Sequence, residues 1–279
     1  MTKQFYHLAG LPRSGNTLLS AVLNQNPDIY SSPLSPISDI LYDTYKIMYT
    51  SENSLRNVEN QIRISSLMKD IIHSFYKDVD KPIIFDREKA WGTPVNLKII
   101  KEFINPKPKI IFTVRDIPEI IASLIALDLP KVNQEYQASN FYSLAYQNYD
   151  DGLADFIMRP GGDLDKTLLS LASAFVKENE GIFHLIEYKD FLNDPKKTMN
   201  GIYNFLELEP YEHNFKNIRK IEIDLDEEIG YSSTLHSIKR TISPSPTKAE
   251  NILSPYIYKK YSGMEFWRND SLMKVRGQE

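Results

Sequence analysis

The sequence predicts an α/β fold, a central parallel sheet with helices on both faces. Three observations carry this expectation. Four short apolar runs rich in Ile, Val and Phe stand at Gln4 to Ala9, Pro82 to Asp86, Lys109 to Val114 and Phe183 to Tyr188, each bounded by turn residues. Each is followed by a stretch of helical period. The first run also leads directly into GLPRSGNT, a glycine-bearing turn that joins a strand to a helix.

That turn, Gly10 to Thr17, matches the frame G-x-x-x-x-G-K-[ST], in which backbone N–H groups and a helix N-terminus hold phosphate. One position departs from it. Asn16 stands where nucleotide-hydrolysing loops carry Lys, and the cation has moved to Arg13. A guanidinium is a rigid fork suited to an oxyanion, so the donor is expected not to be ATP. The helix that follows is expected to end near Asn26-Pro27, since the residue before proline is pushed out of the α region.

Further along, Pro94 to Ile104 reads as a crossover helix with Val95, Ile99, Ile100 and Phe103 on one side, and Ile117 to Ala126 repeats the pattern. Two longer helical stretches break the alternation, Ser38 to Lys77 and Gln134 to Glu178, the second interrupted by the turn RPGGD. Rich in Tyr, Phe and Leu, they are expected to cover the sheet's C-terminal edge, where open α/β sheets bind ligands. Ser232 to Ser254 reads as a loop and Arg268 to Glu279 as a polar tail, leaving residues 1–267 as one expected domain.

Composition narrows the function. With 279 residues, 42% of them hydrophobic, the chain can build one large or two small domains. A net charge of -4 provides no basic field for nucleic acid. The absence of cysteine excludes disulfides, thiolate metal sites and a cysteine nucleophile, and the five histidines show no ligand spacing, so no metal is expected. No leader pattern and no run of about 20 apolar residues is present, so the expected setting is the cytoplasm, without a membrane span.

A second motif, KIIFTVRDIPEIIASL, puts Arg115 and Asp116 at a strand tip and Ser123 two helical turns later. With the first loop, it resembles the sulfotransferases that use 3′-phosphoadenosine 5′-phosphosulfate (PAPS), in the tyrosylprotein and bacterial-type form that reads PRSG. The resemblance runs from about Phe5 to about Leu208. It implies a three-layer P-loop NTPase-like fold and transfer of a sulfuryl group from PAPS to a hydroxyl or amine. The acceptor would be a small molecule, carbohydrate or peptide. It also implies that Pro12, Arg13, Ser14, Gly15, Asn16, Thr17 and Leu18 grip the 5′-phosphosulfate, and that Arg115 and Ser123 grip the 3′-phosphate. In IEYKDFLNDPKKTMNGIYNFLELE, Tyr188 takes the place near the adenine, and in LHSIKRTISP, Lys239 and Arg240 take that of a basic loop over the 3′-phosphate.

The relatives' base does not carry over, because Asp28 to Asp39 contains neither the Glu nor the His that relatives use. The segment FDREKAWG, at the tip of the second predicted strand, offers replacements: Glu88 or Asp86 as base, Arg87 or Lys89 as a second cation. His236 and His7 are weaker candidates. Two other readings fit parts of the pattern. A P-loop kinase or NTPase would use Thr17 on Mg²⁺ and Asp86 at the end of a Walker-B-like strand, and a non-catalytic nucleotide-binding protein would keep the cradle without a base. Aromatic-rich cover helices suit a phenol, a lipid head or a sugar face equally.

Overall fold

Five strands form one parallel sheet in the computed structural model, which describes residues 3–220, 237–243 and 248–269. They are β1 (Gln4–Gly10), β2 (Ile29–Leu34), β3 (Ile83–Arg87), β4 (Ile110–Val114) and β5 (Phe183–Glu187), in the spatial order β2-β3-β1-β4-β5. From β1 the chain goes to the edge at β2, returns to β3 beside β1, and then crosses to β4 on the other side. Such a reversal opens a crevice at the strands' C-terminal ends.

Between the strands run α1 (Asn16–Leu23), α2 (Ile37–Thr50), α3 (Glu52–Leu55), α4 (Val58–Phe75), α5 (Pro94–Ile99) and α6 (Ile117–Ile125). The β4 to β5 crossover continues through α7 (Pro130–Ala138), α8 (Asn140–Ala145), α9 (Tyr149–Ile157) and α10 (Asp163–Ala172). After β5 come α11 (Tyr188–Asn193), α12 (Pro195–Leu206) and α13 (Pro255–Tyr261). No helix among the described residues is long and apolar enough to cross a membrane.

Strand alternation sorts the core into two layers. Phe5, Ala9, Ile84, Ile110 and Phe112 meet one set of helices, through Leu41, Met68, Ile72, Leu97 and Ile121. Tyr6, Leu8, Phe85, Ile111 and Ile186 meet the other, through Leu19 and Val22 of α1 and Ile202 and Tyr203 of α12. Each fully buried Leu, Ile, Val, Phe or Met among them contributes about 1.5–3 kcal/mol. Helices on both faces follow, because strands apolar on both sides must be covered on both.

The four strands read from sequence form with ends shifted by at most one residue. The fifth, β2, escapes an apolar-run search because it reads IYSSPL. It is an edge strand whose Ser31 backbone N–H donates to Asn24 Oδ1 (2.7 Å) and whose Ser31 carbonyl accepts from Asn24 Nδ2 (2.9 Å). An edge also tolerates Pro33. The helix predicted over Pro94 to Ile104 changes at Ile100 into a π-helical turn, closed by Asn105 N–H on the Ile100 carbonyl (2.8 Å). Helix α1 stops at Leu23, three residues before Asn26, whose Oδ1 accepts from the Asp28 N–H at 3.0 Å. His236, parts of the Ser232 to Ser254 loop and the tail beyond Asn269 lie outside the described residues.

His7 of β1 is fully buried against Trp91, ring centroids 4.5 Å apart, and neither ring nitrogen has a hydrogen-bond partner among the described residues. Burial pushes its pKa down to about 3, and that of buried His213 to about 4. Below the ordinary histidine value of about 6.5 the unfolded chain therefore takes up protons that the native chain refuses. Stability falls as pH drops from 6.5 toward 3, by at most about 1.4 kcal/mol per pH unit for each histidine. Denaturant titrations of His7→Leu between pH 7 and 4 are expected to show a shallower acid limb than the parent chain. An unchanged slope would mean that His7 takes up its proton in the fold.

Candidate active site

The loop between β1 and α1 is stitched to the tip of β4. Leu11 N–H donates to the Thr113 carbonyl (2.9 Å), and the buried Ser14 hydroxyl donates to the same carbonyl (3.1 Å). Arg13 and Gly15 both take the left-handed conformation, with φ of 59° and 92°. Gly15 is needed there twice over: a Cβ would strain its φ and come within 2.7 Å of the Tyr188 ring. No side chain caps the start of α1, so its first N–H groups remain available to an anion.

Two guanidiniums converge beside this loop. Arg13 Nε donates to Ser123 Oγ at 3.1 Å, and Arg115 Nη1 donates to the Arg13 carbonyl at 3.0 Å. Arg115 is 7% exposed, lies 4.9 Å over the Tyr188 ring and is paired through Nη2 with Glu119 Oε2 at 3.1 Å. The other Glu119 oxygen accepts from the Ala249 N–H at 2.8 Å. Burial, and then the Arg115 charge, lower the Arg13 pKa. Two cations held this close favour an anion between them.

A cleft of about 760 Å³ opens from the loop across the sheet's C-terminal edge. Of the loop residues read from sequence, Pro12, Arg13, Gly15, Asn16, Thr17 and Leu18 line it, while Ser14 is turned into the core. Arg115, Ser123, Tyr188 and Lys239 line it too. Arg240 does not; it is exposed, and its carbonyl accepts from the Ile218 N–H at 2.8 Å. Cover residues reach the cleft from 129–164, and none comes from the Ser38 to Lys77 stretch.

The end of β3 and the residues just after it divide between cleft and core. Arg87 and Lys89 face the cleft, and Asp86 and Glu88 do not line it. Asp86 is fully buried and accepts from the Tyr76 hydroxyl and from Trp91 Nε1 at 2.8 Å. With both oxygens engaged in the core, it is unfit for the base role that the sequence allowed. Glu88 is half-buried and caps the 3₁₀ turn through Ala90 N–H at 3.4 Å; burial raises its carboxyl pKa, against the pull of Lys89. His7 lies in the core behind Trp91, away from the cleft wall.

The carboxylates that do line the cleft, Glu135 and Asp163, escaped sequence reasoning. Asp163 pairs with Lys89 at 3.1 Å and Glu135 with Arg159 at 3.3 Å. The only local signal was the RPGGD turn, whose first and last residues are Arg159 and Asp163. It reads as a bend, and its place beside Lys89 depends on how the crossover packs.

A model of the sulfotransferase family matches residues 8–213. No curated protein matches the chain. Among solved structures, the chain is similar to the sulfotransferase domain of the Synechococcus PCC 7002 olefin synthase (TM-score 0.54, 17% identity, 99% of this chain and 94% of that one). It is similar also to the sulfotransferase domain from the curacin biosynthetic pathway, with TM-score 0.51, 14% identity and coverage of 100% and 97%. Identities this low speak for a shared P-loop NTPase-like fold. The family match spans most of the chain and includes the phosphate-type loop, the Arg115 tip and the Tyr188 turn: the protein belongs to the sulfotransferase family of transferases.

Proposed function

We propose that the donor is PAPS and that the sulfuryl group passes to a hydroxyl or amine acceptor. One observation carries this reading: an uncapped helix start, Arg13 and Arg115 meet in one cleft, with Tyr188 packed against both loop and guanidinium. PAPS supplies the activated sulfuryl group and carries anionic groups at both ends of its ribose. The first N–H groups of α1 and Arg13 stabilise negative charge at one end, where it grows as the S–O bond breaks. Arg115, fixed by the Arg13 carbonyl, Glu119 and Tyr188, offers its remaining donors to the 3′-phosphate. Arg87 and Lys89 supply cations on the acceptor side.

For the acceptor proton Glu88 is one candidate: it stands between the cleft residues Arg87 and Lys89 without lining the cleft itself, and burial raises its carboxyl pKa. Asp163 is the rival, because it stands on the wall itself beside Lys89. Glu88→Gln or Asp163→Asn, whichever removes the base, is expected to cut turnover by about 10² to 10⁴-fold with nucleotide affinity intact. Near parental rates in both would exclude the pair.

Calorimetry tests the donor. The chain is expected to bind 3′,5′-adenosine bisphosphate at least about tenfold tighter than ADP, since a charge-assisted hydrogen bond contributes about 1.5–3 kcal/mol. Arg115→Met is expected to erase the difference. Equal affinities in the parent chain would overturn the assignment. Arg13→Ala is expected to lower kcat by about 10² to 10³-fold, more than it weakens product binding; a loss confined to affinity would make Arg13 an anchor only.

A further inference from the structure

Outside the cleft lining, a 3₁₀ turn near the end of the described chain, Phe266–Arg268, holds the two strand ends that deliver Arg115 and Tyr188. Asp116 is the N-cap residue of α6 and Glu187 that of α11, yet neither side chain caps its own helix. Both carboxylates turn to Arg268 instead. Glu187 accepts Nε on Oε1 and Nη2 on Oε2, each at 2.7 Å, and Asp116 accepts Nη1. The buried Trp267 donates Nε1 to Glu187 Oε1 at 3.1 Å, and Glu265 Oε1 accepts the Ile117 N–H, at the start of α6, at 2.9 Å.

This turn acts where the sheet stops setting positions. Strands β4 and β5 pair in register as far as Val114 opposite Glu187, so the next residues on the two chains are Arg115 and Tyr188. Their side chains meet beyond the last paired residues, the guanidinium 4.9 Å over the ring. Arg268 bridges the flanks of that pair: one of its carboxylates precedes Tyr188 and the other follows Arg115. A guanidinium forked onto a carboxylate fixes direction as well as distance. A binding side chain keeps its aim only where its neighbours lock it. The side chains of Arg268, Asp116 and Glu187 are 31%, 41% and 19% exposed, so these ion pairs add little to global stability and act chiefly on local geometry.

We propose that Arg268 is a positioning residue for recognition of the nucleotide's 3′-phosphate, an inference that rests on reading the cleft as a PAPS site. From outside the cleft it sets how Arg115 stands against Tyr188, and thereby where the donors of Arg115 point. Coupling of this kind runs through contiguous hydrogen bonds and ion pairs. Here it takes one side chain from Arg268 to the residues that flank the pair.

Calorimetry of 3′,5′-adenosine bisphosphate and of ADP, on the full chain, provides the test. Arg268→Met and Glu187→Gln are each expected to shrink the preference for the bisphosphate about fivefold, as for members of one ion-pair network. The second variant separates geometry from charge. Removing a carboxylate from beside an anion site strengthens anion binding if charge alone decides, whereas loss of positioning weakens it. A merely structural role weakens both ligands alike and leaves the preference unmoved. That outcome in Arg268→Met, or tighter bisphosphate binding by Glu187→Gln, overturns the proposed role. Thermal melting reports whether each variant folds, and if Arg268→Met does not, Glu187→Gln, which keeps the side chain's size, decides alone. Equal affinities for the two nucleotides in the parent chain remove the donor reading, and the role of Arg268 with it.

Discussion

The site depends on β1 and β4 ending level with each other. Thr113, the last residue but one of β4, receives both the Leu11 N–H and the Ser14 hydroxyl, so the loop after β1 is fastened to the strand that carries Arg115. The return bond, from Arg115 Nη1 to the Arg13 carbonyl, closes the same short circuit. Parallel neighbours in register need no other device to bring two cations from positions about a hundred residues apart onto one anion. The low identity to structures of the same fold accords with this, because the arrangement uses backbone atoms and a handful of side chains.

The C-terminal residues reinforce the tips of the neighbouring strands. Arg268 reaches both Asp116 and Glu187, with Nε 2.7 Å from Glu187 Oε1. Trp267 Nε1 donates to the same oxygen at 3.1 Å, and Glu265 Oε1 accepts from the Ile117 N–H at 2.9 Å. With Glu119 on the Ala249 N–H, these contacts brace α6 and Arg115 from the outside. A substitution among residues 249–268 that breaks one of these bonds therefore acts on α6 and Arg115 from outside the cleft lining.

How much could be read from sequence follows from which features are local. Strands buried on both faces show as runs such as IIFTV, and the loop shows because its six-residue frame is contiguous. Strand β2 did not show, since its Ser31 backbone is satisfied by the side chain of Asn24, just after α1, and its edge position needs no apolar run. Around FDREK the sequence identified a charged strand tip but not which members face the ligand: that is fixed by alternation, which sends Arg87 to the cleft and Asp86 to Trp91 and Tyr76. Asp163 and Glu135 were beyond reach because only the packing of a five-helix crossover brings them to the wall. The aromatic side chains of that crossover do not line the cleft, for the same reason.

The pair of cations has a thermodynamic side. Arg13, in a left-handed conformation, half-buried and repelled by Arg115, is held where its charge is disfavoured. An anion between the two removes that penalty. Occupancy and folding are thus linked: a ligand present at a hundred times its dissociation constant adds about 2.7 kcal/mol to the native state. A protein with an anion bound there outlasts one without it under heat or proteolysis.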